Sequence, residues 1–354
     1  MEITIIGAGN SGLAMSAHLA YHGHNVKLWN RSPKTIETLV KSKTIHVDGM
    51  FHGDITIPVV TTDIRVALEN SELILVTTPA NSYPDIAKTL AIGMEKEIPI
   101  ILNPGRTFGA LNFYEHFIAN NATLHPPVAE TQTIIYTVRK NDDSSVSIFS
   151  IKNNVRIAAL KKGQTSFFMD RLPLCIKKYF EPAGSFLETS LGNVGLVLHS
   201  APFMLNTGWT ECTTSEYKYY YDGITPTIGR LIQHIDDERL AVATALGVHV
   251  ESTMEWLKRE YETHGETLYD CIRNNEAYKE IDAPKSVFHR YILEDVPYGL
   301  VPFENISTAL RVPTPYMTCI INLANALMEK DFRVFMKNID IEKVTKYMKD
   351  EQSC

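Results

Sequence analysis

His199 stands in the otherwise apolar stretch 191–208, and Glu294 and Asp295 close a helix-like run that begins at residue 289. These residue types suit proton transfer. An imidazole can both give and take a proton near neutral pH, and a carboxylate that accepts its ring N–H fixes its orientation. Pro202 has no N–H for the carbonyl of Leu198, so a helix here is kinked beside the histidine and opens its backbone there. Arg290 offers a planar fork of donors for a substrate carboxylate, and Asn206, near the end of the histidine stretch, offers a further polar contact. Plainer accounts compete: a hydrogen-bonded core histidine, and a surface ion pair between Arg290 and Glu294 at i,i+4 spacing.

A second set of residues binds rather than reacts. GAGNSG at 7–12 follows an apolar strand pattern and opens a helix pattern that ends near Gly23, after which a second strand runs to residue 30. In that context Gly7 permits the tight turn, Gly9 lets the main chain approach a pyrophosphate, and Gly12 lets the helix pack close to the strand. Asn10 and Ser11 lie between them at a helix N-terminus, which favours anions. The pattern reads as a dinucleotide fingerprint. At the end of the second strand an acidic residue would bind the ribose hydroxyls of NAD, and this chain has Asn30, Arg31 and Ser32 instead. Asn30 brings no carboxylate to repel a 2′-phosphate, Arg31 can grip one, and Ser32 can add a hydroxyl. NADP is therefore favoured, with NAD the alternative and a merely solvated Arg31 the competing account. Loops 77–80 and 103–107 leave the C-terminal ends of two more strand patterns, where ligands bind in an open parallel sheet. Thr78, Pro79 and Asn103 are expected near the cofactor, although ordinary turn chemistry also accounts for the proline and glycine there.

The elements that must position these groups form two blocks. Strand patterns at 2–7, 25–30, 73–79 and 98–104 alternate with helices, as a parallel sheet covered on both faces requires. Further strand-like runs occupy 129–136, 145–151 and 155–160, and the last two are expected to extend the sheet as a hairpin. Beyond residue 187 helical patterns dominate. Thr225 and Pro226 start a helix that reaches Gly247, a second is expected over 252–272, and the aromatic run 217–221 reads as packing between helices. The expected architecture is α/β: a Rossmann-type doubly wound parallel sheet at 1–187, then an all-helical domain at 188–354, with the active site in the cleft between them.

With 354 residues there is room for both domains and a large core. A formal charge of −7 with no basic cluster argues against nucleic acid. A first strand beginning at Glu2 and no long apolar run predict no signal peptide, no membrane span and a cytoplasmic location. Cys175, Cys212, Cys271, Cys319 and Cys354 are scattered without CxxC pairs, so they read as reduced thiols with no disulfide framework or zinc spacing.

Together these segments resemble the opine dehydrogenase family, the octopine and nopaline dehydrogenase-like enzymes. The resemblance covers nearly the whole chain. It rests on GAGNSG at 7–12, VTTPA at 76–80, NPGRTFGAL at 103–111, AETQTIIYT at 129–137, HSAPFMLNTG at 199–208, ITPTIGR at 224–230, IDDERLAVATALG at 235–247, EDVPYGLVP at 294–302 and VPTP at 312–315. It implies an enzyme that reductively joins an amino acid to a 2-oxo acid with NAD(P)H, needing no metal. On matching positions it implies His199 as the acid/base residue, Asp295 as its orienting carboxylate and Arg290 as the clamp for the oxo acid. Family members commonly have an asparagine four residues before the histidine, where this chain has Gly195, with Asn193 upstream. A simple 2-oxo or 3-hydroxy acid reductase and a non-catalytic NADP-binding redox sensor remain as alternatives. The expected partners are small-molecule substrates, and a homodimer is one arrangement the sequence leaves open.

Overall fold

The computed structural model describes residues 1–212, 214–336 and 339–348, so Cys354 lies outside the described residues. The chain divides into two compact units, the second being Leu191–Val344, and it returns to the first at Thr345.

The first unit is built on twelve strands: β1 (Glu2–Ile6), β2 (Asn25–Trp29), β3 (Thr44–Gly49), β4 (Gly53–Thr56), β5 (Val59–Thr61), β6 (Leu73–Val76), β7 (Ile100–Leu102), β8 (Val128–Thr131), β9 (Tyr136–Asp142), β10 (Ser145–Ile151), β11 (Val155–Ala159) and β12 (Phe180–Pro182). Eight of them form one sheet in the order β12-β11-β8-β7-β6-β1-β2-β5. Its pairings are parallel except β11 with β8, so the Rossmann-type expectation holds. Ile3, Ile5, Ile6, Leu73, Ile74 and Val76 have no exposed surface, as strands covered on both faces require. The order reverses beside β1, which pairs with β2 on one edge and β6 on the other. Ligands bind at such a reversal, outside the carboxyl ends of the strands.

The expected hairpin is corrected. β10 pairs antiparallel with β9, not with β11, and these two join β3 and β4 in a separate four-stranded sheet. The run expected as one strand over 129–136 is split, because β8 ends at Thr131 in the large sheet and β9 begins at Tyr136 in the small one. The polar turn at 142–145 closes the hairpin, while β11 returns to the large sheet beside β8.

In the second unit Thr225 caps the helix Pro226–Ala245 through a hydrogen bond from the N–H of Ile228, and Gly247 follows with a positive φ of 74°. The helix expected over 252–272 is two helices, Thr253–Tyr261 and Leu268–Arg273. Glu262 turns left-handed between them at φ 53°, and a new capping box forms between Thr267 and Asp270. Arg239, fully buried, ties this unit together. Its Nε donates to Asp236, while its two terminal nitrogens donate to the carbonyls of Leu191 at 2.6 Å and Glu251 at 2.7 Å. Asp236 in turn accepts from the N–H of Thr253, so neither buried charge lacks partners.

Candidate active site

The residues expected to bind a dinucleotide lie in the first unit. Gly7 has φ 106°, a conformation that side chains rarely adopt. A Cβ on Gly12 would sit 1.8 Å from the carbonyl oxygen of Gly7, so the helix Asn10–Tyr21 (α1) can follow this turn only without a side chain there. At Gly9 an added Cβ meets nothing within 4 Å, which leaves the turn open on the side where a pyrophosphate would approach. No acidic residue occupies the first turn of α1 and no side chain caps it, so its N–H groups remain available to an anion. Asn10 accepts from the N–H of Lys140, and Ser11 lies half-buried beside it.

Asn30 braces this turn. Its Oδ1 accepts from the N–H of Ala8 at 3.1 Å, and its Nδ2 donates to the carbonyl of Ser32. Arg31 is exposed and paired with Asp85 at 2.8 Å, both side chains about two-thirds in solvent. Such a pair is weak and exchangeable, but Asp85 also places a carboxylate near any phosphate that Arg31 would hold. Thr78 lies against Gly7, and its Oγ1 is buried with no hydrogen-bond partner. That orphaned oxygen at the carboxyl end of β6 fits a bound dinucleotide, and Pro79 beside it is exposed. Asn103, by contrast, is buried, and its Oδ1 accepts from the hydroxyl of Thr131 at 3.3 Å. That contact braces its loop.

Glu130, on β8, was not singled out from the sequence. Its carboxyl has no exposed surface and is held by the N–H of Ala110 and by the hydroxyls of Thr189 and Ser190. Burial outweighs these bonds and pushes it up to about 7. A Cβ on Gly105 would meet Glu130 at 2.4 Å, which explains the glycine of the NPG turn.

In the second unit the structure joins the segments of His199 and Asp295, 96 residues apart, directly. His199 lies on the helix Gly195–Leu205, and its Nδ1 is 2.8 Å from Oδ2 of Asp295. Asp295 is buried while the histidine side chain keeps 13% exposure. With Nδ1–H held by the carboxylate, Nε2 is the nitrogen that can meet a substrate. The residues around Asp295 are helical rather than the expected proline- and glycine-rich loop. A short helix Arg290–Leu293 leads to Asp295, then a π-turn Val296–Leu300 runs into Val301–Leu310. Pro297 sits in the first turn of its segment, and Pro302 falls where the π-turn passes into the following helix.

The ring of Tyr291 stacks on His199, with centroids 4.1 Å apart and planes 16° from parallel. His289 is pulled down to about 4, first by burial and then by the charges of Arg290 and His199, so it stays neutral over the neutral range. Arg290 is exposed, and its guanidinium carbon lies 5.7 Å above the Tyr291 ring. Glu294 is buried, so the simple surface-pair account of these two residues fails. Asn206 Nδ2 donates to the carbonyls of Pro202 and Gly223, each at 2.8 Å, which closes the helix end. Asn193, upstream of the missing family asparagine, is buried and accepts from the N–H of Gly195.

Comparisons with known proteins bear on the fold and the family. The α-helical domain of the NAD/NADP octopine/nopaline dehydrogenases matches residues 182–328, and the N-terminal domain of NAD-dependent glycerol-3-phosphate dehydrogenases matches residues 2–123. An opine dehydrogenase of Arthrobacter sp. (strain 1C) is 32% identical over 93% of this chain and 91% of its own. Among solved structures, a yersinopine dehydrogenase bound to NADP+ superposes with a TM-score of 0.80 at 13% identity, over 99% of this chain and 96% of that one. An octopine dehydrogenase with NADH and L-arginine gives 0.76 at 19%, over 92% and 89%. No helix among the described residues is long and apolar enough to cross a membrane.

Proposed function

The chain belongs to the opine dehydrogenase family of NAD(P)-dependent oxidoreductases acting on CH–NH groups, and we propose that His199 and Asp295 carry the proton transfers by which it condenses an amino acid with a 2-oxo acid. The observation that carries this reading is the 2.8 Å contact between His199 Nδ1 and a buried Asp295 carboxylate.

The amine nitrogen attacks the oxo carbon and gives one proton to His199 Nε2, while the alkoxide formed takes one proton from solvent to become the carbinolamine hydroxyl. His199 Nε2 then returns its proton to that hydroxyl, which leaves as water as the amine lone pair closes the C=N bond of the protonated imine. Asp295 keeps the imidazole in one orientation through both transfers, and Tyr291 limits its rotation by stacking on its face. Bound NAD(P)H supplies the hydride that reduces the imine carbon. Arg290 binds the oxo-acid carboxylate, an exposed fork that lies over the ring of Tyr291. The dinucleotide is held by Gly7, Gly9, Asn10, Ser11, Gly12 and Thr78, with Pro79, Ser32 and Asn103 shaping the surrounding loops. Arg31 favours NADPH over NADH by taking the 2′-phosphate in exchange for Asp85.

The test is a panel of 2-oxo acids, each alone and with each common amino acid, followed by NADPH oxidation. Fast oxidation only with a matched pair, with a product whose mass is the pair less water plus two hydrogens, supports the proposal. Equally fast oxidation by an oxo acid alone, yielding the hydroxy acid, contradicts it.

A further inference from the structure

His18 and His22 lie one helical turn apart on α1, at the i,i+4 spacing that puts two side chains on one face. Cys175, a free thiol on the short helix Leu174–Lys177, comes to the same place from a distant part of the first unit. One ligand atom from each residue lies within 4.8 Å of the others. No cysteine spacing announces this cluster.

The hydrogen bonds around the two imidazoles have already selected their nitrogens. His22 Nδ1 is 2.9 Å from the carbonyl of His18, which can only accept, so that nitrogen carries the proton and Nε2 keeps a lone pair. His18 Nδ1 is 2.9 Å from the Tyr136 hydroxyl, which lies 3.4 Å from Met15 Sδ. In the tautomer in which that hydroxyl accepts from Nδ1 and donates to Met15, Nε2 of His18 keeps its lone pair for a metal. A histidine whose second nitrogen is fixed by an outer partner is the usual state of a metal ligand. His18 is buried, Cys175 half-buried and His22 exposed, so the cluster has a fixed inner ligand and two that can adjust.

We propose that His18, His22 and Cys175 bind a late first-row metal ion, zinc(II) by their donor set, with a fourth position left to solvent. Two imidazoles and a thiolate suit zinc rather than the oxygen-seeking cations. Tetrahedral zinc places such ligands roughly 3.3–3.8 Å apart. The present span closes to that by a movement of about 1 Å, within reach of the outer two side chains. Binding releases the thiol proton of Cys175, and the resulting thiolate offsets the nearby Lys178, which lies over the ring of Tyr179. His18 lies about two helical turns beyond the dinucleotide turn along α1.

Cobalt(II) titrated into reduced, tag-free protein is the probe. One ion per chain should bind with a thiolate-to-cobalt charge-transfer absorption that zinc(II) abolishes by competition. Cys175→Ser should lose that absorption. His22→Gln, a change at an exposed position, should weaken binding at least about tenfold, since even an outer partner of a ligand is worth about 10- to 100-fold. Both variants should keep wild-type NADPH affinity, which shows that they are folded. Less than one ion per chain, or the same absorption and affinity in Cys175→Ser, overturns the site.

Discussion

The Tyr219 hydroxyl donates to the backbone carbonyl of His199 at 2.7 Å and lies 3.3 Å from that of Leu198, the carbonyl that Pro202 leaves without a helical donor. The proline and the tyrosine therefore work as a pair. Tyr219 is fully buried, and burial holds its hydroxyl protonated far above neutral pH. Tyr219→Phe removes the donor and strands a buried carbonyl, so unfolding stability should fall by about 1–3 kcal/mol. Denaturant midpoints measure this, and an unchanged midpoint contradicts the pairing.

His199→Asn should lower kcat by about a hundredfold or more, while NADPH affinity from fluorescence titration stays within about twofold. Asp295→Asn keeps the side-chain shape but can present a donor to Nδ1 of His199, so it should also lower kcat with the same unchanged affinity. Near wild-type turnover of either variant at saturating substrate removes that residue from the mechanism.

The proposed NADPH preference rests on Arg31, and its ion pair with Asp85 opposes it. Arg31→Ala should weaken NADPH at least roughly tenfold and leave NADH nearly unchanged. Asp85→Asn, which removes the competing carboxylate, should tighten NADPH alone. Equal changes for both cofactors in either variant contradict the assignment.

Glu130 gives stability a pH dependence whose sign follows from its raised pKa of about 7, against 4.5 for the free group. Between those values the folded chain holds a proton that the unfolded chain has released, so this contribution is complete below about 4.5 and is lost as pH rises through 7. His18 and His289, both lowered from 6.5 to about 4, act oppositely and cost stability as pH falls through that window. Glu130→Gln cancels only the first trend. Relative to wild type, the variant should gain up to about 3 kcal/mol between pH 4.5 and 7, at roughly 1.4 kcal/mol per pH unit. Chemical denaturation across that range measures it, and a pH-independent difference contradicts the account.

The strand-turn-helix at Gly7 and the cap at Thr225 and Pro226 were legible because each depends on residues close in sequence. Pairings between distant segments were not. Nothing local shows that β10 takes β9 as its partner, or that the break near Gly265 divides the helix expected over 252–272. The His199–Asp295 contact spans 96 residues, so it was reached through family resemblance rather than spacing. Glu130 had one visible signal, a lone acid inside an apolar strand, and such a residue needs partners that only the fold supplies.

The central claim is that the hydride ends on the carbon that has just acquired the amino acid's nitrogen. Single turnover with NADPH carrying deuterium at the transferred position, a 2-oxo acid and its matched amino acid measures this directly by mass spectrometry of the product. The account predicts one deuterium on the carbon between the new C–N bond and the oxo-acid carboxylate, in the secondary amine. Deuterium found instead in a 2-hydroxy acid, with the amino acid unchanged, would contradict it.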